Sequence, residues 1–400
     1  MKLWMALGST LLVQMVGTMS VLTLPAIGPA VDPSLDLGPA RLGTFAALVY
    51  GAGLVSVLWV ASRIERWGAL RTSQACVLLC AGGLLLIASG RTWALMLGAV
   101  LIGLGYGPMT PASSVLLLSV APPTRRNLVF SVKQTGVPIG GAAAGMVLPW
   151  VVLSTGWRGG PVLTAALCVL VLLLVSPLAR RERRFGSPPA AAAGWRSIVA
   201  PLRMMAGDRA IAMLGLTAGC LSAVQTALSM HLVGALDRGK GMSLLAAGLM
   251  LSTLQVSGIV GRLVSGWMSD RIGSATVLLV AQASLIAFGC GAMSLASGHA
   301  GPARVEVIAV LAVILGVSAL GWNGTLVAEV AVRAGAGTAA SATSGVLCAL
   351  SVGSVSGAYA FGAIAAGPGG YAAAFATLVL PAGVAIWALT SLRRLSRRAR

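Results

Sequence analysis

The sequence predicts an all-α integral membrane protein: twelve transmembrane helices in two six-helix bundles. Three observations point there: an apolar composition, recurring long apolar runs, and a charged loop pattern that occurs twice. Of 400 residues, 57% are hydrophobic and only 9% charged, and mean hydropathy is +0.93. Soluble domains hold about 45–50% apolar and about 25% charged residues. Runs of about 20 apolar residues suffice to cross a hydrocarbon core about 30 Å thick. They recur at 5–27, 44–62, 72–90, 93–119, 128–153, 158–178, 210–233, 244–267, 276–296, 304–330, 339–363 and 370–392. A transmembrane β-barrel would show about ten alternating residues per strand, and these runs are long and unbroken.

The first run follows Lys2 and ends near "AIGPA", as in a signal peptide. Its apolar stretch exceeds the usual signal core, so a retained first helix is expected. The longest polar interval is rich in Arg, Pro and Ala. It divides the chain into an N-terminal bundle (1–178), a cytoplasmic central loop (179–209), a C-terminal bundle (210–392) and a basic tail (393–400).

A net charge of +19 on a soluble protein would suggest nucleic acid. Here the charges sort by side. With the N-terminus inside, twenty of the 28 Lys and Arg residues fall on cytoplasmic segments and six on the opposite side, while Lys133 and Arg262 lie within helices. That asymmetry places both termini in the cytoplasm, as expected of a multi-pass plasma or inner membrane protein. Anionic lipid headgroups, not nucleic acid, are then the neighbours of the basic tail.

The six cysteines, Cys76, Cys80, Cys168, Cys220, Cys290 and Cys348, all fall in predicted helices without a CxxC spacing, and read as packed thiols rather than a metal or redox centre. The two histidines, His231 and His299, stand near outer span ends. No nucleophile–base pairing, metal cluster or phosphate loop emerges, so neither an enzyme nor a cofactor is expected.

After the second span the chain reads "ASRIERWGALR" (61–71), and after the eighth "GWMSDRIGSAT" (266–276). Aligned on Gly68 and Gly273, acid matches acid (Glu65, Asp270) and arginine matches arginine (Arg66, Arg271), with Arg71 and Gly266 completing the two loops. Two equivalent points of two halves carry one charge constellation, the mark of an internal repeat.

In these loops, in helix number and in the central loop, the sequence resembles the major facilitator superfamily, in its bacterial twelve-helix form, whose loops after helices 2 and 8 read G-x-x-x-D-R-x-G-R-R or close to it. The second copy matches well; the first has Ala61 for Gly and Glu65 for Asp. The resemblance implies a transporter working by alternating access, with these loops latching the cytoplasmic bundle ends. On a bland reading, Asp270 and Arg271 only stop the helix and Gly273 caps it.

Helix 5 contains "GVPIGG", with Gly136, Pro138, Gly140 and Gly141 making a thin, kinkable segment suited to close packing. It is similar to part of the helix 5 element of the drug/proton antiporters in that superfamily. Their helix 4 arginine motif is missing, because Ala99 and Ile102 occupy the corresponding positions.

Charges inside a membrane are costly and mark function by default. Lys133 and Arg262 would bias a cavity towards anions, so a small organic carboxylate is the expected substrate, with export of hydrophobic compounds by a multidrug/proton antiporter as the alternative. Each has a second reading: Lys133 could snorkel to the cytoplasmic face, and Arg262 could partner Asp270 in the gate. Further cavity candidates are Gln134, Tyr106, Gln14, Gln225, Gln255 and Asn323. The expected partners are a small solute, a coupled proton or other ion, and anionic lipids, with the protein a monomer.

Overall fold

The computed structural model describes residues 2–31, 35–60, 64–122, 125–181, 203–298, 305–335 and 338–398. Among them, twelve helices are long and apolar enough to cross a membrane, as the hydropathy pattern predicts, and no strand occurs. Besides a single helical turn at Ile64–Trp67, the helices are α1 (Leu3–Ile27), α2 (Pro39–Val60), α3 (Ala69–Ala88), α4 (Thr92–Val120), α5 (Arg126–Gln134), α6 (Gly136–Thr155), α7 (Gly159–Arg181), α8 (Arg209–Lys240), α9 (Leu244–Ile272), α10 (Ala275–Gly298), α11 (Val305–Ala319), α12 (Asn323–Ala334), α13 (Ala339–Ala365), α14 (Gly370–Thr377) and α15 (Val379–Arg398). Three predicted spans are thus interrupted. Span 5 breaks at Thr135, span 10 across Leu320–Trp322, and span 12 at Leu378.

Helix ends obey local chemistry. Asp208 caps α8, its Oδ1 accepting from Ala210 N–H at 2.7 Å and Ile211 N–H at 3.2 Å. Ser243 caps α9 by accepting from Ala246 N–H at 3.2 Å. Such side chains satisfy amide donors that the first helical turn leaves without partners. Proline opens α2 at Pro39, five residues before the start that hydropathy suggests, since proline fits the first helical turn.

The chain divides into two compact units: residues 1–37 with 48–193, and 38–47 with 194–400. In the first, α1 packs against α4, α6 and α7, and α3 packs against α4 and α7. Lipid offers no hydrophobic drive for helix association, so contact depends on close backbone approach. A Cβ at Gly103 would collide with Val49 O, and one at Gly107 with Gly53 O; Gly83 and Gly98 abut each other's backbones in the same way. In the second unit, α8 lies along α13, with Gly353 against Gly219 and a Ser222–Ser354 hydroxyl hydrogen bond of 2.7 Å. There α9 lies along α11, where Gly261 meets Val317 O and Gly316 meets Leu254 O. Large apolar side chains such as Leu173, Leu153, Phe288 and Leu295 point outward, as lipid-facing residues do.

Candidate functional site

In the second unit, the polar features gather around the interruption of span 10. Leu320 N–H donates to Gly316 O at 3.2 Å, and the helical ladder resumes with Leu326 N–H donating to Trp322 O at 3.1 Å. Between them Gly321 and Trp322 fall outside the α-helical ladder, although Trp322 keeps helical dihedrals (φ −75°, ψ −25°). Trp322 is fully buried and its indole N–H donates to Ala319 O at 2.8 Å, bracing the break. Arg262 of α9 reaches across to it, donating from Nε to Leu320 O at 3.0 Å. Gly258 and Gly261 let α9 come close enough for that reach, because a Cβ on either would strike Leu320 or Val317.

Just past the break, Asn323 donates from Nδ2 to Gln225 Oε1 of α8 at 3.0 Å. Thr325, 5% exposed, has an Oγ1 without a hydrogen-bond partner among the described residues. Gln255, also buried, donates to Ser229 Oγ at 3.4 Å. Discontinuous helices in transporters expose backbone polar groups where a solute can meet them, and α12 has the amide-rich start of such a half-helix.

The bond to Leu320 O gives Arg262 a structural role distinct from substrate binding and from pairing with Asp270. Arg262→Ala is expected to lower stability by about 1.5–3 kcal/mol, the worth of a hydrogen bond to a charged donor. A lower melting midpoint in detergent reads this; an unchanged midpoint would show that the bond adds nothing.

In the first unit, Lys133 ends α5 in its last turn, where helix C-terminal carbonyls favour a cation. Its side chain is 1% exposed. It has no hydrogen-bond or ion-pair partner among the described residues. One turn on, Gly136 packs against Leu11 and Gln14 of α1, and Gly140 against Met15. Gln14 Oε1 accepts from Thr110 of α4 at 3.4 Å, so α1, α4 and the start of α6 converge beside the lysine's helix. Pro138 and Gly141 are buried in the same stretch. Tyr106 of α4 meets Tyr50 of α2 edge to face, with 6.4 Å between centroids. Gln134 is exposed.

The repeated loops differ in what can be described. Ala61 and the Glu65 side chain lie outside the described residues, whereas Arg66 and Arg71 are exposed. Gly68 has φ +90° and precedes α3; Gly273 has φ +65° and caps α9, its N–H donating to Ser269 O at 3.0 Å. Both glycines occupy backbone regions that side-chain-bearing residues avoid, which accounts for their repetition. Gly266 is open to its surroundings, with nothing near enough to crowd a Cβ. Arg271 stacks on Trp267, 4.7 Å from the ring centroid. Asp270 is exposed and has no ion-pair partner among the described residues of its unit.

Thr325, Ser229, Thr110 and Tyr50 were not singled out by sequence. The Gly321–Trp322–Asn323–Gly324 run, two glycines flanking an asparagine, is the one local signal that could have marked the break. His231 is buried, with Nε2 2.9 Å from Ala358 O and its ring against Phe361 at 4.9 Å. Of the carboxylates in span 10, Glu306 is exposed, and Glu329 pairs with Arg333 at 2.6 Å while accepting from Thr276 at 3.1 Å.

Similarity to known proteins follows the same lines. A gallate transporter of Pseudomonas putida is 25% identical over 328 residues, covering 74% of this chain and 72% of that protein. A hexuronate transporter of Bacillus subtilis is 27% identical over 139 residues, covering 34% of this chain and 32% of its own length. Among solved structures, a peptide-transporter-family protein in complex with 5-aminolevulinic acid superposes with a TM-score of 0.78 at 16% identity, covering 98% of this chain and 96% of the other. A nucleoside transporter gives 0.76 at 15% identity, covering 96% and 99%. At such identities the structures speak for the fold alone. The sequence model of the Major Facilitator Superfamily matches residues 7–350. With twelve apolar helices, no strand among the described residues and a charged loop repeated after spans 2 and 8, the chain belongs to the Major Facilitator Superfamily of membrane transporters.

Proposed function

We propose that this chain is a secondary active transporter of a small organic anion, a carboxylate, working by alternating access. The observation that carries the reading is Lys133: a side chain 1% exposed, at the start of a membrane span, with no carboxylate answering it among the described residues. Burying an unpaired cation costs several kcal/mol, so its retention argues for an anion that arrives from outside the protein. The relatives named as gallate and hexuronate transporters support the same charge sign.

On this reading the broken span 10 supplies neutral contacts, with Asn323, Gln225 and Thr325 ready to exchange hydrogen bonds with a solute's hydroxyls. The repeated loops are the latch, Glu65 with Arg66 in one half and Asp270 with Arg271 in the other. Charge asymmetry puts these loops, both termini and the 393–400 tail on the cytoplasmic side. The two six-helix halves joined by the 179–209 segment are the moving bodies. Ala99 and Ile102, both fully buried apolar residues, stand where drug antiporters carry their helix 4 motif, which disfavours the exporter alternative.

A thermal-shift screen of the detergent-solubilised protein tests the reading. The panel holds a hydroxybenzoate, a hexuronate, neutral sugars and lipophilic cations. Because a ligand binding only the folded state stabilises it by RT ln(1 + [L]/Kd), a true ligand at a hundred times Kd adds about 2.7 kcal/mol. A carboxylate should raise the melting midpoint in a concentration-dependent way. Shifts from lipophilic cations alone would reject the anion reading.

A further inference from the structure

A cavity of about 780 Å3 lies within the first unit, separate from the lysine and from the broken helix. Its walls come from α2, α3, α4 and the turn between α2 and α3. Val55, Leu79, Leu104 and Pro108 form an apolar interior, and Arg66 and Arg71 stand at the loop end beside Trp59 and Trp67. The two indoles lie 5.7 Å apart at 60°, and are 56% and 43% exposed. Neither arginine has an ion-pair partner among the described residues.

From this arrangement we propose that the groove is a binding site for one anionic phospholipid, its phosphate held between Arg66 and Arg71 and an acyl chain lying against Val55, Leu79 and Leu104. Each part of such a molecule has a counterpart. The two guanidiniums offer forked donors to a phosphate. Exposed tryptophans beside basic residues anchor a protein at headgroup level. Apolar walls running inward to Pro108 suit a hydrocarbon chain and would be wasted on a small polar anion. A zwitterionic lipid would bring its own cation against the two guanidiniums, so a net-negative headgroup is the one selected.

The site also touches helix packing. Ser56, on the groove wall, donates to Leu104 O at 2.7 Å, one turn from the Gly53–Gly107 contact between α2 and α4. A lipid seated there wedges beside that contact and holds the two helices at one spacing. The inference rests on the groove, shares Arg66 with the proposed latch, and is independent of the substrate reading.

The test uses delipidated full-length protein in detergent, titrated with phosphatidylglycerol, phosphatidylcholine or inorganic phosphate, with melting midpoint and native mass spectrometry as readouts. Phosphatidylglycerol should raise the midpoint and remain bound as one retained lipid, with phosphatidylcholine and phosphate giving little. Arg66→Gln with Arg71→Gln should weaken phosphatidylglycerol at least about tenfold, whereas Arg393→Gln with Arg394→Gln in the basic tail should not. Equal shifts from the two lipids, an equal shift from phosphate, or equal losses in the two double variants would each overturn the proposal. Should the arginine variant fail to fold, quenching by brominated phosphatidylglycerol decides. Quenching should fall when Trp59→Phe and Trp67→Phe are combined; unchanged quenching refutes the site.

Discussion

Replacing Lys133 by glutamine is expected to abolish measurable binding of the anionic solute while leaving the protein as stable as before or more so. The two effects have opposite signs for one physical reason. Empty, the protein carries a buried cation without a partner among the described residues, and removing it relieves desolvation. Occupied, the same cation is the countercharge of the carboxylate. Truncating one member of a buried charge pair costs about 2–5 kcal/mol, which is at least about thirty-fold in Kd. Titration calorimetry with the best ligand measures the loss, and a melting curve of the ligand-free variant measures the stability. A variant that melts lower and binds equally well would instead make Lys133 a structural residue serving the last turn of α5.

Gly103→Leu is expected to remove most folded protein from the membrane extract. A Cβ at that position runs into Val49 O and sits 2.9 Å from the Ala52 side chain, so α2 and α4 would have to part. Overpacking of a tight contact commonly costs about 1–3 kcal/mol, more where the obstacle is backbone. Gly82→Leu in α3 is the control, for nothing lies within 4 Å of its Cβ site. That change should hold or raise the melting midpoint, since glycine is less favourable than alanine by about 0.8–1.0 kcal/mol inside a helix. Comparable monodisperse yields from the two variants on size-exclusion chromatography would mean that the α2–α4 approach does not limit stability.

Spans were legible because a membrane imposes one requirement, apolar length, that the residues state directly. The interruption within span 10 was not. Leu320, Gly321 and Trp322 are apolar enough to sit in a continuous helix, and the hydropathy of 304–330 stays high through them. The contacts that hold the break are one local, Trp322 turned inward onto Ala319 O, and one tertiary, Arg262 donating to Leu320 O from 58 residues away. Sequence spacing offered Arg262 only the nearby Asp270 or a solute, because a partner on another helix leaves no trace in local spacing. Lys133, by contrast, was legible as a lone charge in an apolar run. Gln225 and Asn323 were each legible as intramembrane amides, though not as a pair. The doubled loop was legible from its repeated glycines, whose positive φ angles explain why no other residue stands there.

Transport itself is the most direct test. Purified protein reconstituted into liposomes would be given the radiolabelled carboxylate that produces the largest thermal shift, with protein-free liposomes and Lys133→Gln proteoliposomes beside it. Wild type should accumulate label in a saturable way, and the other two should overlap at background. Saturable uptake that survives Lys133→Gln undiminished, or wild-type uptake no faster than that of empty liposomes, would contradict an anion transporter built around that lysine.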